Sequence, residues 1–217
     1  MKNLAITIAR QYGSGGREIG RRLGELLGIK FYDKELITMA AEKKGVDPDY
    51  LHKIDEKATN SLLYTLAIGS SLFHASSLGT DISLNDKLFI AQTELIREIA
   101  GRENAIFVGR CADYILRKHD NCVRLFIYAD KEDRIARVIE RKDCSRKEAE
   151  DLVAKNDKSR MSYYNFYTGK KWGRPENYDL CVNSSLLGVE GTAQMLAKAV
   201  SIRLENLARD AENGAEN

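Results

Sequence analysis

A run of small residues near the start of the chain has the composition of an anion-binding turn. Residues 4–8 are apolar enough for a buried strand, and the turn that follows contains Gly13, Ser14, Gly15 and Gly16. Ile19, Leu23 and Leu26 then recur at helical spacing. A glycine-rich turn between a strand and a helix can direct its N–H groups at an anion, and the helix N-terminus adds partial positive charge. This arrangement predicts a phosphate site.

The charged residues that follow the turn decide which phosphate-binding pattern it resembles. Aligned on Gly16, the Walker A pattern G-x-x-x-x-G-K-[ST] has Gln11 at its first glycine. Arg17 then stands at the lysine, and Glu18 at the hydroxyl residue. The backbone cradle survives these changes, and Arg17 supplies a cation that can bind phosphate through two hydrogen bonds. Glu18 would either bind Mg²⁺ or repel a nucleotide.

Two other interpretations of the same turn remain open. The dinucleotide-binding pattern G-x-G-x-x-G fits at Gly13 and Gly15 but has Glu18 at its third glycine. Asp33 lies near the place of a ribose-binding acid, which keeps a nicotinamide-dependent oxidoreductase open. The last alternative is a tight turn without a ligand, but four small residues directly after a buried strand disfavour it.

The elements that must position this turn alternate between short apolar strands and helices. Strands are predicted at residues 4–8, 29–32, 105–108, 123–128 and 180–183. The alternation predicts an α/β fold with a five-stranded parallel sheet and helices on both faces. In such sheets ligands bind beyond the carboxyl ends of the strands, where the candidate residues lie.

The chain of 217 residues suits one domain over residues 1–208. Residues 46–103 predict a helical insert, and the capping-box pattern that begins at Ser145 predicts a long, highly charged helix. This helix falls in a mobile lid predicted over residues 145–175, with a rigid surface helix as the alternative. The polar tail, residues 209–217, is predicted to be disordered.

Composition narrows the choice of partners and compartment. The net charge of +2 does not indicate a nucleic-acid binder, and no apolar run is long enough to span a membrane. The N-terminus lacks the regions of a signal peptide. The four cysteines and three histidines are scattered, so no metal site is predicted. We therefore expect a cytoplasmic protein with small-molecule partners, whose oligomeric state stays open.

Several further motifs can be read together with the glycine turn. They are Phe31-Tyr-Asp33, Val108-Gly-Arg-Cys-Ala-Asp113, Asp157-x-x-Arg160 and the aromatic-rich segment 163–172. With them the chain resembles the cytidylate-kinase-like family of P-loop kinases, over nearly all of its length to about residue 207. The resemblance implies a P-loop NTPase fold, ATP as donor with Mg²⁺, and a nucleoside monophosphate as acceptor.

The same resemblance suggests a role for each candidate residue. Gly13 to Gly16, with Arg17 and Glu18, would hold the phosphates of ATP. The acceptor side, next to the 46–103 insert, would use Asp33, Arg110, Asp157 and Arg160. Arg134, Arg137 and Arg141 lie on one face of the helix after the fourth strand, and the resemblance implies that arginines so placed close over the transferring group. The catalytic candidates are Arg17, Arg137 and Arg141. Simpler alternatives are a helix cap at Asp33 and solvated arginines at 110, 134, 137 and 141.

Departures from the family pattern leave the acceptor open. Cys111 stands where cytidylate kinases have an acid, and Val153 and Ala154 replace two charged residues of the lid motif. Strict preference for cytidylate is therefore not expected. Two alternatives to a nucleotide kinase remain: a nucleotide-sensing module that has lost the chemistry, and a kinase of a small molecule other than a nucleotide.

Overall fold

A central parallel sheet organises the part of the chain that the structure describes. The computed structural model describes residues 3–33, 35–43 and 84–215. The strands are β1 (Ala5–Arg10), β2 (Lys30–Tyr32), β3 (Ala105–Val108), β4 (Cys122–Tyr128) and β5 (Leu180–Asn183). Their order is β2-β3-β1-β4-β5, and every pair is parallel. The five predicted strands and their parallel sheet are confirmed.

Seven α-helices accompany the sheet within the described ranges. They are α1 (Gly16–Leu27), α2 (Glu35–Lys43), α3 (Leu84–Arg102), α4 (Ala112–Ile115), α5 (Lys131–Lys142), α6 (Arg146–Thr168) and α7 (Gly188–Ala215). A 3-10 turn, Pro175–Asn177, precedes β5. None of these helices is both long and apolar enough to cross a membrane.

Apolar side chains on the two faces of the sheet form separate cores. On one face, Ile6 and Ile8 of β1 pack with Ile19 and Leu23 of α1 and with Leu196 of α7. The other face packs Phe107 of β3 against residues of α2, α3 and α4. Strands that are buried on both faces have no solvent-exposed side for polar residues. Their sequences are therefore continuous apolar runs, and these runs were the signal that predicted the strands.

Helices α5 and α6 pack on each other and lie against the glycine turn. Ile135 and Val138 of α5 contact Ala149 and Val153 of α6 in a small core of their own. The predicted capping box is confirmed, since Ser145 Oγ accepts a hydrogen bond from the Glu148 N–H and the Glu148 carboxylate bonds back to Ser145. This capping fixes where α6 begins.

Two expectations differ from the structure or fall partly outside it. The tail predicted to be disordered over residues 209–217 is helical as far as Ala215. Its alanine and glutamate residues are strong helix formers, so α7 continues although the segment is polar. The predicted helical insert is helical in α3, while residues 46–83 lie outside the described residues.

We expect Gly13→Ala to destabilise the protein more than Gly28→Ala. Both glycines have positive φ, +79° and +66°, so alanine costs about 1–2 kcal/mol at either position. A Cβ at residue 13 would also lie 2.6 Å from the backbone oxygen of Arg134, whereas residue 28 has open space. Overpacking adds about 1–3 kcal/mol. Urea unfolding measures both losses, and equal losses would contradict the expectation.

Candidate active site

The glycine turn connects the end of β1 to the start of α1 at the carboxyl edge of the sheet. Gly13 and Gly15 have φ of +79° and +73°, in the left-handed region that favours glycine. Gly15 is the N-cap of α1, so the helix begins at Gly16. Ser14 is buried, and its hydroxyl donates to the carbonyl of Gln11 at 2.9 Å. The turn therefore presents a helix N-terminus to the space above the strands.

Side chains from three other elements fix the backbone of this turn. The Tyr12 N–H donates to Asp157 Oδ1 at 2.7 Å, and Arg134 Nε donates to the Tyr12 carbonyl at 2.9 Å. Arg134 also forms an ion pair with Asp157. Arg137 donates to the Gly13 carbonyl at 3.3 Å. A final bond comes from the loop after β5, where the Ser184 hydroxyl donates to the Ser14 carbonyl at 2.7 Å.

Four arginines lie near one another where β1, β2 and β3 end, and two of them pair with a buried carboxylate. The carboxylate belongs to Asp33, whose side chain is 7% exposed and pairs with Arg17 Nε at 2.7 Å. It also lies 3.5 Å from a terminal nitrogen of Arg10. Arg110 and Arg160 complete the set that interacts electrostatically with Arg10. We call Arg10, Arg17, Arg110 and Arg160 the arginine cluster.

Positive charge is concentrated in this cluster beyond what Asp33 can neutralise. Burial and the neighbouring Arg160 guanidinium lower the pKa of Arg10 to about 9, although Asp33 acts in the opposite direction. Burial likewise lowers the pKa of Arg160. Arg10 remains protonated at neutral pH, so keeping its charge in this buried position costs free energy. A bound anion would lower that cost, because opposite charge nearby favours the charged form.

The sequence-predicted donor residues lie together at the turn. Arg17 is at the start of α1 with a side chain that is 55% exposed. Glu18, one residue further, lines a small hollow with Arg21 and Phe31. The Arg141 guanidinium lies over the ring of Tyr12, 5.0 Å from its centroid. Arg137 and Arg141 are therefore placed at the turn, beside the loop backbone.

Asp157 and Arg160, the predicted pair on α6, lie on one face of the helix and make contacts with other parts of the protein. Asp157 uses both carboxylate oxygens, one for the Tyr12 N–H and one for Arg134. Arg160 donates to the Arg10 carbonyl at 2.8 Å and lies over the Tyr12 ring. These contacts join α6 to the turn. Direct contact of either residue with an acceptor stays a prediction.

The end of β3 has an unusual backbone. Gly109, Arg110 and Cys111 all have positive φ, between 55° and 76°. Arg110 belongs to the arginine cluster, but the Cys111 side chain is buried, and burial raises the pKa of its thiol. Burial also raises the pKa of Asp113, whose carboxylate accepts a hydrogen bond from the Tyr164 hydroxyl at 2.7 Å. Cys111 thus lies in the core.

The aromatic residues of the predicted lid pack against the domain. Tyr167 stacks on Phe89 of α3 with ring centroids 4.0 Å apart, and Tyr163 contacts the same ring edge-on. Trp172 packs edge-on against Phe126 of β4. These ring contacts join the predicted lid to α3 and β4.

One residue of the site, Arg10, was not singled out from the sequence. It is the last residue of a buried strand. A charged residue at the carboxyl end of an apolar strand is a usable signal, since such ends converge on the ligand site. Arg134 shares a helix face with Arg137 and Arg141, as predicted, but it is buried and pairs with Asp157.

For a magnesium ion, which the resemblance implies, the described residues offer no site built from protein ligands alone. Within the described ranges no group of three or more histidine, cysteine, aspartate or glutamate side chains could hold a metal. Mg²⁺ often keeps several waters and is bound by one or two carboxylates together with substrate phosphates. Asp33 supplies one carboxylate next to the turn, so the residues fit an ion that arrives with a nucleotide.

Known proteins are similar to this chain in both sequence and structure. Residues 5–186 match the model of the cytidylate kinase-like family. The chain is 25% identical to a cytidylate kinase of Archaeoglobus fulgidus, over 92% of this chain and 96% of that protein. Among solved structures it is similar to a protein of Eubacterium ventriosum, with 29% identity and a TM-score of 0.68 over 92% of this chain and 99% of that one.

The fold is also shared with a more distant enzyme. A gluconokinase of Sinorhizobium meliloti superposes with a TM-score of 0.54 at 14% identity, over 95% of this chain and 97% of that one. Identity this low bears on the fold alone. Together with the parallel sheet and the glycine turn, this similarity confirms the P-loop NTPase fold.

We expect Asp157→Asn to loosen α6 from the turn. The asparagine can still accept from Tyr12, but it removes the charge opposite Arg134, whose side chain is only 8% exposed. A hydrogen bond to a charged group contributes about 1.5–3 kcal/mol, so the free energy of unfolding should fall by about that amount. Urea unfolding measures the change.

The matched control is Asp151→Asn on the exposed side of the same helix. Surface substitutions usually stay within about 0.5 kcal/mol. If the two variants unfold alike, the contact between Asp157 and the turn does not stabilise the protein.

Proposed function

Because the chain belongs to the cytidylate kinase-like family, we propose that it transfers the γ-phosphoryl group of ATP to the phosphate of a nucleoside monophosphate. The observation that carries this proposal is the arginine cluster beside the glycine turn. Arg10 and Arg17 pair with a single carboxylate, Asp33, and Arg110 and Arg160 lie near enough to Arg10 to lower its pKa. Phosphoryl transfer asks mainly for positioning and for neutralisation of phosphate charge, and the cluster supplies both.

In the proposed reaction an oxygen of the acceptor phosphate attacks the γ-phosphorus of ATP. The bond from that phosphorus to the β,γ-bridging oxygen breaks, giving ADP and a nucleoside diphosphate. The N–H groups of residues 13–16 and the helix N-terminus bind the donor phosphates. The cluster lies between this turn and the ends of β2 and β3, with Arg17 on the donor side and Arg110 on the acceptor side.

Residues behind the turn keep it in a binding conformation. Asp157 and Arg134 hold both backbone groups of Tyr12, and Arg137 holds the carbonyl of Gly13. These side chains direct the carbonyls of the loop away from the incoming phosphates. Mg²⁺ bound to the nucleotide would supply further charge neutralisation, and Asp33, the carboxylate that pairs with Arg10 and Arg17, would be the protein group placed to hold it.

The acceptor is a nucleoside monophosphate of broad identity in this proposal. The position at which cytidylate kinases have an acid after the glycine and arginine of β3 is occupied by Cys111, which is buried. A buried thiol is a weak hydrogen-bonding group and cannot select cytosine as a carboxylate would. Arg110 and Arg160 bind the acceptor phosphate, which all nucleoside monophosphates share.

A nucleotide-sensing module is the second candidate. It is favoured by Arg17, which stands at the lysine place on the sequence alignment and already pairs with Asp33 at 2.7 Å. A module of this kind would bind ATP without transferring phosphate. It would have no use for a cationic acceptor side, which Arg110 and Arg160 supply.

A coupled assay of ADP formation, run with a panel of nucleoside monophosphates, tests the proposal. We expect acceptor-dependent turnover, with CMP, UMP and AMP differing by less than a few orders of magnitude because Cys111 is buried. A large preference for CMP would contradict the broad acceptor. Binding of ATP with no turnover on any member would favour the sensing module.

The same assay tests the acceptor side through Arg110. Arg110→Met should raise the KM for the acceptor about tenfold or more, the effect of losing a charge-assisted hydrogen bond. Arg117→Met is the matched control, because Arg117 is exposed and stacks on the ring of Tyr114 away from the cluster. Equal KM values would remove Arg110 from the acceptor site.

We also propose that residues 145–175 act as a lid, as the charge pattern predicts. Lids close around substrates and then protect the reaction from water. Hydrogen exchange of α6 should slow when ATP and an acceptor are both added, because Arg160 of α6 then contacts a ligand that the rest of the arginine cluster also binds. Exchange that is already slow without ligand, and unchanged by it, would contradict the lid and leave a rigid helix.

A further inference from the structure

The register of the glycine turn differs by one residue from the alignment made on sequence. Gly15 has left-handed φ and ψ and caps α1, and Gly16 is the first helical residue. In the Walker A pattern the lysine directly follows the last glycine. With Gly15 as that glycine, Gly16 occupies the place of the lysine. The first glycine of the pattern, five residues before the last, then corresponds to Arg10.

Residue 16 has no room for a side chain while Arg10 is present. A Cβ on Gly16 would lie 2.7 Å from the Cβ of Arg10 and 3.0 Å from its Cγ. Two non-bonded carbons repel each other at such distances, which lie well inside their optimal separation of about 3.5–4.0 Å. The stem of Arg10 therefore fills the space that a side chain at the start of the helix would take.

A second glycine lets the guanidinium of Arg10 reach the centre of the cluster. A Cβ on Gly109 at the end of β3 would lie 2.2 Å from an Arg10 terminal nitrogen. Beyond Gly109 the guanidinium lies 3.5 Å from Asp33. Gly16 and Gly109 thus leave a passage for this one side chain across the ends of two strands. The exposed Arg17, by contrast, contacts the outer side of Asp33.

We propose that Arg10 is the cation that binds the β- and γ-phosphates of the donor, and that cation and glycine have exchanged places in this loop. The pattern of a lysine on the helix and a glycine on the strand becomes a glycine on the helix and an arginine on the strand. This inference rests on the proposed transfer from ATP and names the residue that performs the lysine's role. Arg17 then orients Asp33.

Calorimetric titration with ATP and with inorganic tripolyphosphate tests the exchange on the full chain. Arg10→Met keeps the stem that packs on Gly16 and removes the charge, so affinity for both probes should fall about tenfold or more. Arg10→Lys should retain part of the affinity. Arg17→Met, the matched control, should lose less. Turnover in the coupled assay should follow the same order.

The double variant Arg10→Gly with Gly16→Lys returns the cation to the helix. Removing the Cβ at residue 10 opens the space beside residue 16, where the Cβ of Ile127 at 3.3 Å is then the tightest contact. We expect this variant to bind ATP more tightly than Arg10→Gly alone. A double variant no better than Arg10→Gly would contradict the exchange.

Thermal unfolding of the ligand-free proteins separates binding from structure. Burial and neighbouring arginines lower the pKa of Arg10, so its charge destabilises the folded state at pH below about 9. Removing this charge also removes one ion pair of Asp33, which keeps Arg17 as its partner, so Arg10→Met should stay folded at neutral pH. If Arg10→Met is unfolded at the assay temperature, its lost affinity reflects structure, and the comparison of Arg10→Gly with the double variant decides the proposal.

The two proposals fail in different ways. If the wild type transfers phosphate and Arg10→Met binds ATP equally well, the role of Arg10 is wrong and the proposed function stands. If the wild type binds neither ATP nor tripolyphosphate and transfers nothing, both proposals are wrong.

Discussion

The convergence of several guanidinium groups on the buried carboxylate of Asp33 is the constraint on which the rest of the site depends. Each arginine comes from a different element: Arg10 from the end of β1, Arg17 from the start of α1, Arg110 from the turn after β3 and Arg160 from α6. Like charges that are partly removed from water repel one another, so the arrangement persists only because the fold holds each side chain in place.

The parallel sheet creates this convergence. Since β1, β2 and β3 run in the same direction, their carboxyl ends meet at one edge, and residues that are distant in sequence become neighbours. The positive φ values after β1 and β3 then turn the chain sharply, which keeps the backbone out of the space that the side chains need. Gly16 and Gly109 serve the same end by having no side chain beside Arg10.

A second set of charged residues stabilises the turn from behind. Arg134 and Asp157 satisfy the N–H and carbonyl of Tyr12, so the loop does not depend on a ligand for these bonds. Because Asp157 and Arg160 share one face of α6, the same helix holds the turn and contributes a cation to the cluster. A movement of α6 would change both at once, which links the proposed lid to the phosphate site.

The sequence by itself determined the layout of this protein. Apolar strands, glycine turns and a capping box are local signals, since each depends on residues within a few positions, and the five strands, the P-loop fold and the start of α6 followed from them. The motifs also identified the family, and they pointed to most of the residues that the structure places around the glycine turn.

Only the tertiary structure decided which side chains share the centre of that site. Nothing local distinguishes Gly15 from Gly16 as the cap of α1, and nothing local shows that Arg10 fills the space next to residue 16. The contacts of Asp157 with Tyr12 and Arg134, and the burial of Cys111, depend on elements that meet only after folding. Which side chains lie next to one another, and which positions have room for a side chain, depends on segments that are distant in sequence. Both are therefore settled only when the chain packs.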